Sequence, residues 1–172
     1  MSVLLPCALM AGSQAAAEPG VSISAPGSGE AVIVEPIGLQ NVVDLRFGRI
    51  IRPTANGTVR IANNGNVTET GGATGLAITT PQRRNGRGPA ALAAFGDPFR
   101  LFLTGIANQS LVSNGTVQMR VDQYTVNTGF LGLRQFDADG YAPLLIGGRL
   151  NINANQQTGT YTGTFPVTIL YL

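Results

Sequence analysis

Residues 159–172 read GTYTGTFPVTILYL. Tyr161, Gly163, Phe165, Val167, Ile169 and Tyr171 share one parity, while Thr160, Thr162, Thr164, Thr168 and Leu170 carry the other. Successive side chains of a strand point to opposite faces, so this run makes one apolar face and one face made chiefly of threonine. It predicts a core strand of roughly 40 Å at about 3.3 Å per residue. Pro166 lacks a backbone donor and marks a bulge or an unpaired edge position within it.

The same period recurs upstream. Residues 116–126 (TVQMRVDQYTV) follow Asn114-Gly115, a hairpin signal, and set Val117, Met119 and Val121 on one face. A change of phase near Asp122 then brings in Tyr124 and Val126, which predicts a bulge or a strand end. Residues 99–106 (FRLFLTGI), 57–62 (GTVRIA), 43–51 (VDLRFGRII), 31–34 (AVIV), 21–25 (VSISA) and 76–79 are further strand segments. In residues 144–152 (LLIGGRLNI) the pair Gly147-Gly148 is expected to interrupt a strand. Only residues 90–95 (AALAAF) have helical composition, enough for a turn or two.

Short alternating runs broken by Gly, Asn and Pro predict an all-β fold, an antiparallel β-sandwich of immunoglobulin-like type, with a closed barrel as the alternative. The 172 residues suffice for one domain with its own core. Outward threonine and asparagine reconcile 44% hydrophobic with only 12% charged residues.

Composition excludes several chemistries. Histidine and tryptophan are absent and Cys7 is the single cysteine. A Ser-His-Asp or Cys-His triad, a histidine-assisted zinc site and an intrachain disulfide are therefore unavailable. All 11 basic residues are arginine, and against 9 acidic residues they leave a net charge of +2. That bias is too weak to imply nucleic acid or an anionic membrane. Arg83, Arg84 and Arg87 cluster among glycine, asparagine and proline without stacking aromatics, and read as a solvated loop.

Residues 1–17 combine a short apolar run, Val3 to Met10, with Ala15 and Ala17 in the small-x-small pattern of a signal peptide cleaved before Glu18. The n-region, Met1-Ser2, carries no positive charge. The run is too short to span a bilayer as a helix. Removal of 17 residues would leave an exported chain without cysteine. Residues 18–30 (EPGVSISAPGSGE) form a flexible extension, and residues 31–172 the sandwich.

At Gly159 and Tyr171 the sequence resembles the C-terminal zipper strand of chaperone–usher pilus subunits, with glycine fourteenth from the end and tyrosine next to last. A broader similarity covers nearly the whole exported chain. Val34-Glu35-Pro36-Ile37, Asp44 to Ile50, Gly57-Thr58-Val59, Ala94-Phe95, residues 102–105, Gly147 to Leu150 and residues 159–165 are similar, in order, to an uncharacterised domain family of Gram-negative secreted proteins. That family resembles spore-coat-U-type and other pilin-like domains. The resemblance implies a non-enzymatic structural or adhesive surface subunit, a periplasmic chaperone and a polymer built by donor-strand exchange. Val21, Ile23 and Ala25 are the donor residues it points to. Many pilins carry a disulfide that the exported chain here lacks. A monomeric carbohydrate- or protein-binding module is the alternative, with Tyr124, Phe130, Phe136 and Tyr141 as its recognition surface.

No catalytic, metal or cofactor residue is assigned. Asp137, Asp139 and Gly140 read as a turn, since a calcium loop needs further oxygen ligands that Tyr141, Ala142 and Pro143 do not supply. Asp97-Pro98 is a turn signal. Asp44, Asp97 and Asp122 could pair for glycoside chemistry only if the fold brought two of them within about 5 to 10 Å. The glycine pairs lack the lysine and helix of a phosphate loop.

Overall fold

The computed structural model describes residues 37–76 and 86–172. The signal-like segment, the donor residues Val21, Ile23 and Ala25, and Arg83 and Arg84 lie outside them. The strands are β1 (Gly38–Val43), β2 (Ile50–Ile51), β3 (Gly57–Ile61), β4 (Val67–Gly71), β5 (Thr74–Gly75) and β6 (Ala90–Phe95). They continue with β7 (Leu101–Ile106), β8 (Gln109–Ser113), β9 (Gln118–Val126), β10 (Leu133–Gln135), β11 (Tyr141–Ile152) and β12 (Val167–Tyr171). A single 3-10 turn, Phe130–Gly132, is the only helical element among the described residues. All strand pairings are antiparallel, so the expected all-β class holds.

β11 organises the larger, seven-stranded sheet. Its first half, Tyr141 to Ile146, pairs with β6, and its second half, Gly148 to Ile152, pairs with β3. β9 pairs along Ile146 to Asn151, and Ile146 and Leu150 each have a second partner on the far side. β6 and β3 therefore share one edge of β11 and hand over at Gly147-Gly148. Contrary to the expectation from sequence, the glycine pair does not interrupt the strand; it marks where its neighbour changes. A Cβ on Gly147 would lie 2.3 Å from the Ile61 carbonyl oxygen, so only glycine admits the arriving backbone.

The AALAAF segment is β6, a strand between β1 and β11. Its helical composition loses to position. Both of its edges are hydrogen-bonded, and Ala90, Leu92 and Ala94 face the core. The phase change in β9 is a bulge, with Gln123 and Tyr124 opposing Gly148 alone and Gln123 at φ 48°. Asn114-Gly115 makes the β8–β9 turn as expected, with Gly115 at φ 93°. Residues 43–51 are not one strand. β1 ends at Val43, a bridge joins Arg46 to Gly88, and β2 holds two residues.

The second sheet orders as β10-β7-β12. Of the two parities in β7, the buried one holds Phe102, which is fully enclosed, while Leu101 and Phe99 are exposed. Two apolar clusters result. One joins Phe102 and Phe136 to β6 and the first half of β11, with Phe165, Val167, Ile169 and Tyr171 packed against it. The other gathers Val59, Ile61, Met119, Val121, Leu150 and Ile152, covered by Leu45, Phe47, Ile50 and Tyr161. Each enclosed Leu, Ile or Phe contributes about 1.5–3 kcal/mol.

Candidate functional site

The expected single C-terminal strand is in fact two pairings along one path. Val167 to Tyr171 pair with β7, and Thr162 alone bridges Ser113 at the end of β8, with N–O distances of 2.8 and 3.0 Å. β7 and β8 are separated by only Ala107 and Asn108, so residues 162–171 follow both in antiparallel sense. Regular pairing begins immediately after Pro166, where the missing donor breaks the ladder. The parity reading survives the break. Tyr161, Phe165, Val167, Ile169 and Tyr171 are half-buried and the alternate positions from Thr160 to Leu172 are exposed, but Gly163, expected on the inward row, is exposed as well.

The opposite wall repeats this pattern. Leu39, Leu45 and Phe47 line it, half-buried, and none is enclosed. Between the two walls runs a groove of about 1230 Å³. Ala90, Leu92, Met119, Val121, Leu150 and Ile152 form its floor, and residues 156–165 with Val167 its second wall. Among the described residues, β12 pairs with β7 only, so its other edge is open. An apolar row held half-buried beside an unpaired edge is a place for one more strand.

Tyr124 sits on the groove floor, not on an exposed loop. Its ring lies 5.0 Å from that of Phe165, and its hydroxyl hydrogen-bonds Ser110. Burial pushes the phenol above its ordinary pKa, partly opposed by the Ser110 bond, so it stays a neutral hydroxyl. At the wall's outer turn, Tyr161 donates to the Gln157 carbonyl at 2.7 Å and accepts from Gln156 at 2.9 Å.

The other expected recognition aromatics do not meet. Phe136 is buried at 1% exposure, 4.4 Å from Phe102, and is a core residue. Its place on a recognition surface is thereby corrected, since alternation does not tell which side of a short segment faces the second sheet. Phe130 opens the 3-10 turn, and its side chain lies outside the description. Tyr141 is surface-exposed and pairs with Phe95 at 5.6 Å between ring centroids. Phe95 and Phe99 are exposed aromatics that sequence reasoning missed.

The acidic residues make structure. Asp137 caps its own turn, its Oδ1 accepting from the amides of Asp139 at 3.0 Å and Tyr141 at 2.8 Å. Asp44 accepts from Asn41 at 2.6 Å. Asp122 is held by Arg149 at 2.8 and 3.0 Å and by Arg120 at 3.2 Å. The Arg149 hydrogen bond holds the Asp122 carboxyl below its ordinary pKa, against the opposing effect of desolvation. Arg87 is not a solvated loop residue. It ion-pairs with Glu69 and donates to the Phe47 carbonyl at 3.1 Å, tying the groove wall to β4. No group of three or more potential metal ligands occurs among the described residues.

Residues 37–171 match the family described as Domain of unknown function (DUF4402). The chain belongs to the DUF4402 family. The DUF4402 match runs from Ile37 to Tyr171 in β12, so both groove walls, from Leu39 to Val167, lie inside the family domain. No curated protein and no solved structure matches this DUF4402 chain. No helix among its described residues is long and apolar enough to cross a membrane.

Proposed function

We propose that this protein is a non-enzymatic secreted or cell-surface structural subunit. Its groove accepts the extension of a neighbouring copy as an added strand. One observation carries the reading: half-buried Leu39, Leu45 and Phe47 on one wall and Tyr161, Phe165 and Val167 on the other line a groove over an apolar floor, and Val167 opens β12, one edge of which is unpaired among the described residues. An inserted strand gains main-chain hydrogen bonds from the edge and side-chain burial from the floor. The resemblance of residues 159–171 to a pilin zipper strand supports the same role, as does the sandwich architecture that two packed sheets would make. A periplasmic chaperone would hold the groove before assembly. Nucleic acid has no part in it.

The donor is the segment with Val21, Ile23 and Ala25. Three such residues contribute only a few kcal/mol of gross apolar burial at about 25 cal/mol per Å². The backbone pairing must supply the rest. The purified exported protein is expected to form rods or fibres under electron microscopy. Deleting residues 18–30 should leave monomers that still bind a chaperone. Polymers that persist after the deletion would sink the reading.

A second reading is a monomeric binding module. The exposed Phe95–Tyr141 pair and Phe99, at 64% exposure, favour it. A wild-type protein that stays monomeric and binds an oligosaccharide through these rings would move the assignment there.

A further inference from the structure

The side of the larger sheet that faces away from the groove carries two cross-strand rows. One row runs Thr68, Arg60, Arg149, Asp122, Gln109 across β4, β3, β11, β9 and β8, each residue in register with the next. The next row runs Thr70, Thr58, Asn151, Arg120, Leu111 in the same way. On β3, β11 and β9 the residues between the rows, Val59, Leu150 and Val121, are buried, so the row residues of these three central strands point outward. Strands about 4.8 Å apart thus present a face of hydroxyl, amide and guanidinium groups five strands wide.

The charge on this face is placed against stability. Arg60 stands directly opposite Arg149, and like charges in register are unfavourable. Asp122 neutralises Arg149 through two hydrogen bonds and also meets Arg120. Arg60 is exposed and has threonine on its other side, with no acid partner among the described residues. Three arginines against one aspartate leave the face positive. A sheet selected for stability alone would carry an acid at position 60, and local rules are commonly broken where a surface binds something.

We propose that this face binds an acidic polysaccharide, its carboxylates engaging Arg60 and Arg120 and its hydroxyls the Thr58, Thr68, Thr70 and Asn151 groups. Guanidinium suits carboxylate because two parallel N–H bonds match the two oxygens. The polar remainder of the face suits sugar hydroxyls. No aromatic in the two rows could stack a base, and Leu111 is their only apolar residue, which disfavours nucleic acid and membrane insertion. The proposal goes beyond the assembly reading and uses the opposite side of the sheet.

The test measures binding of the purified protein to polygalacturonate, with neutral dextran, duplex DNA and phosphatidylglycerol vesicles as comparators. Polygalacturonate should bind at about 0.05 M salt and release at about 0.5 M, and dextran should not bind. Arg60→Glu should weaken binding roughly tenfold or more, since it replaces an attractive partner with a repelling one. It should fold at least as well as wild type, because glutamate faces Arg149. Arg60→Gln should weaken binding about threefold, whereas Thr168→Glu, an equal charge change on β12, should not. Three outcomes would overturn the proposal: no wild-type binding, equal losses in Arg60→Gln and Thr168→Glu, or tighter binding to DNA or vesicles.

Discussion

Gly147 and Gly148 are neighbours with different tasks. A Cβ at Gly147 would meet only backbone, the Ile61 carbonyl oxygen at 2.3 Å and the Ala62 and Asn63 main chain at 2.7 Å. One at Gly148 would meet side-chain atoms of Leu45 and Tyr124 at 3.2 Å, and these can shift. Gly147→Val should therefore destabilise by about 3 kcal/mol, roughly 10 °C in Tm, and Gly148→Ala by less than about 1 kcal/mol. Thermal melts of the two variants check this, and equal effects would show that the strand handover is not what glycine is needed for. Sequence reading found the pair but assigned it a break. Only the arrival of a second strand beside β11 shows that close backbone approach is the constraint.

At the scale of elements, the bulge in β9 aims Asp122 and Tyr124 at opposite sides of the sheet. Asp122 joins the outward arginines, and Tyr124 joins the groove floor. Because the folded carboxyl titrates below its unfolded value, its ion pairs stabilise above the unfolded pKa, about 4, and the contribution is lost as pH falls through the folded value. Acid titration of stability in Asp122→Asn should lack the part of the decline that wild type shows below about pH 4. Identical slopes would remove Asp122 from the acid response. The phase change that places this bulge was readable in the sequence, as one shift in the apolar parity of residues 116–126. The arginine partners were not, because Arg149 is distant in sequence and meets Asp122 only through β-pairing. The turn or two of helix read into residues 90–95 failed for a related reason. Alanine fits a strand well when both edges are paired and space toward the second sheet is short.

Across the whole molecule, two apolar clusters lie on either side of the handover in β11, yet Leu45 and Tyr124 pack against both. β11 supplies Leu144 and Ile146 to one and Leu150 and Ile152 to the other. Neither cluster can lose its share of β11 without exposing part of its neighbour. Denaturant unfolding should therefore be one transition, with coincident midpoints for Leu144→Ala and Leu150→Ala variants followed by tyrosine fluorescence and by backbone dichroism. Two separated transitions would show that the clusters unfold independently.

The period-two patterning alone determined the all-β class, the turn at Asn114-Gly115 and the inward side of Tyr161, Phe165, Val167, Ile169 and Tyr171, because those depend on local backbone geometry and on which side chains avoid water. The groove, the burial of Phe136 and the facing of Arg60 on Arg149 were decided by the tertiary structure. Each depends on which strand lies beside which, and pairing partners distant in sequence leave no mark on local periodicity.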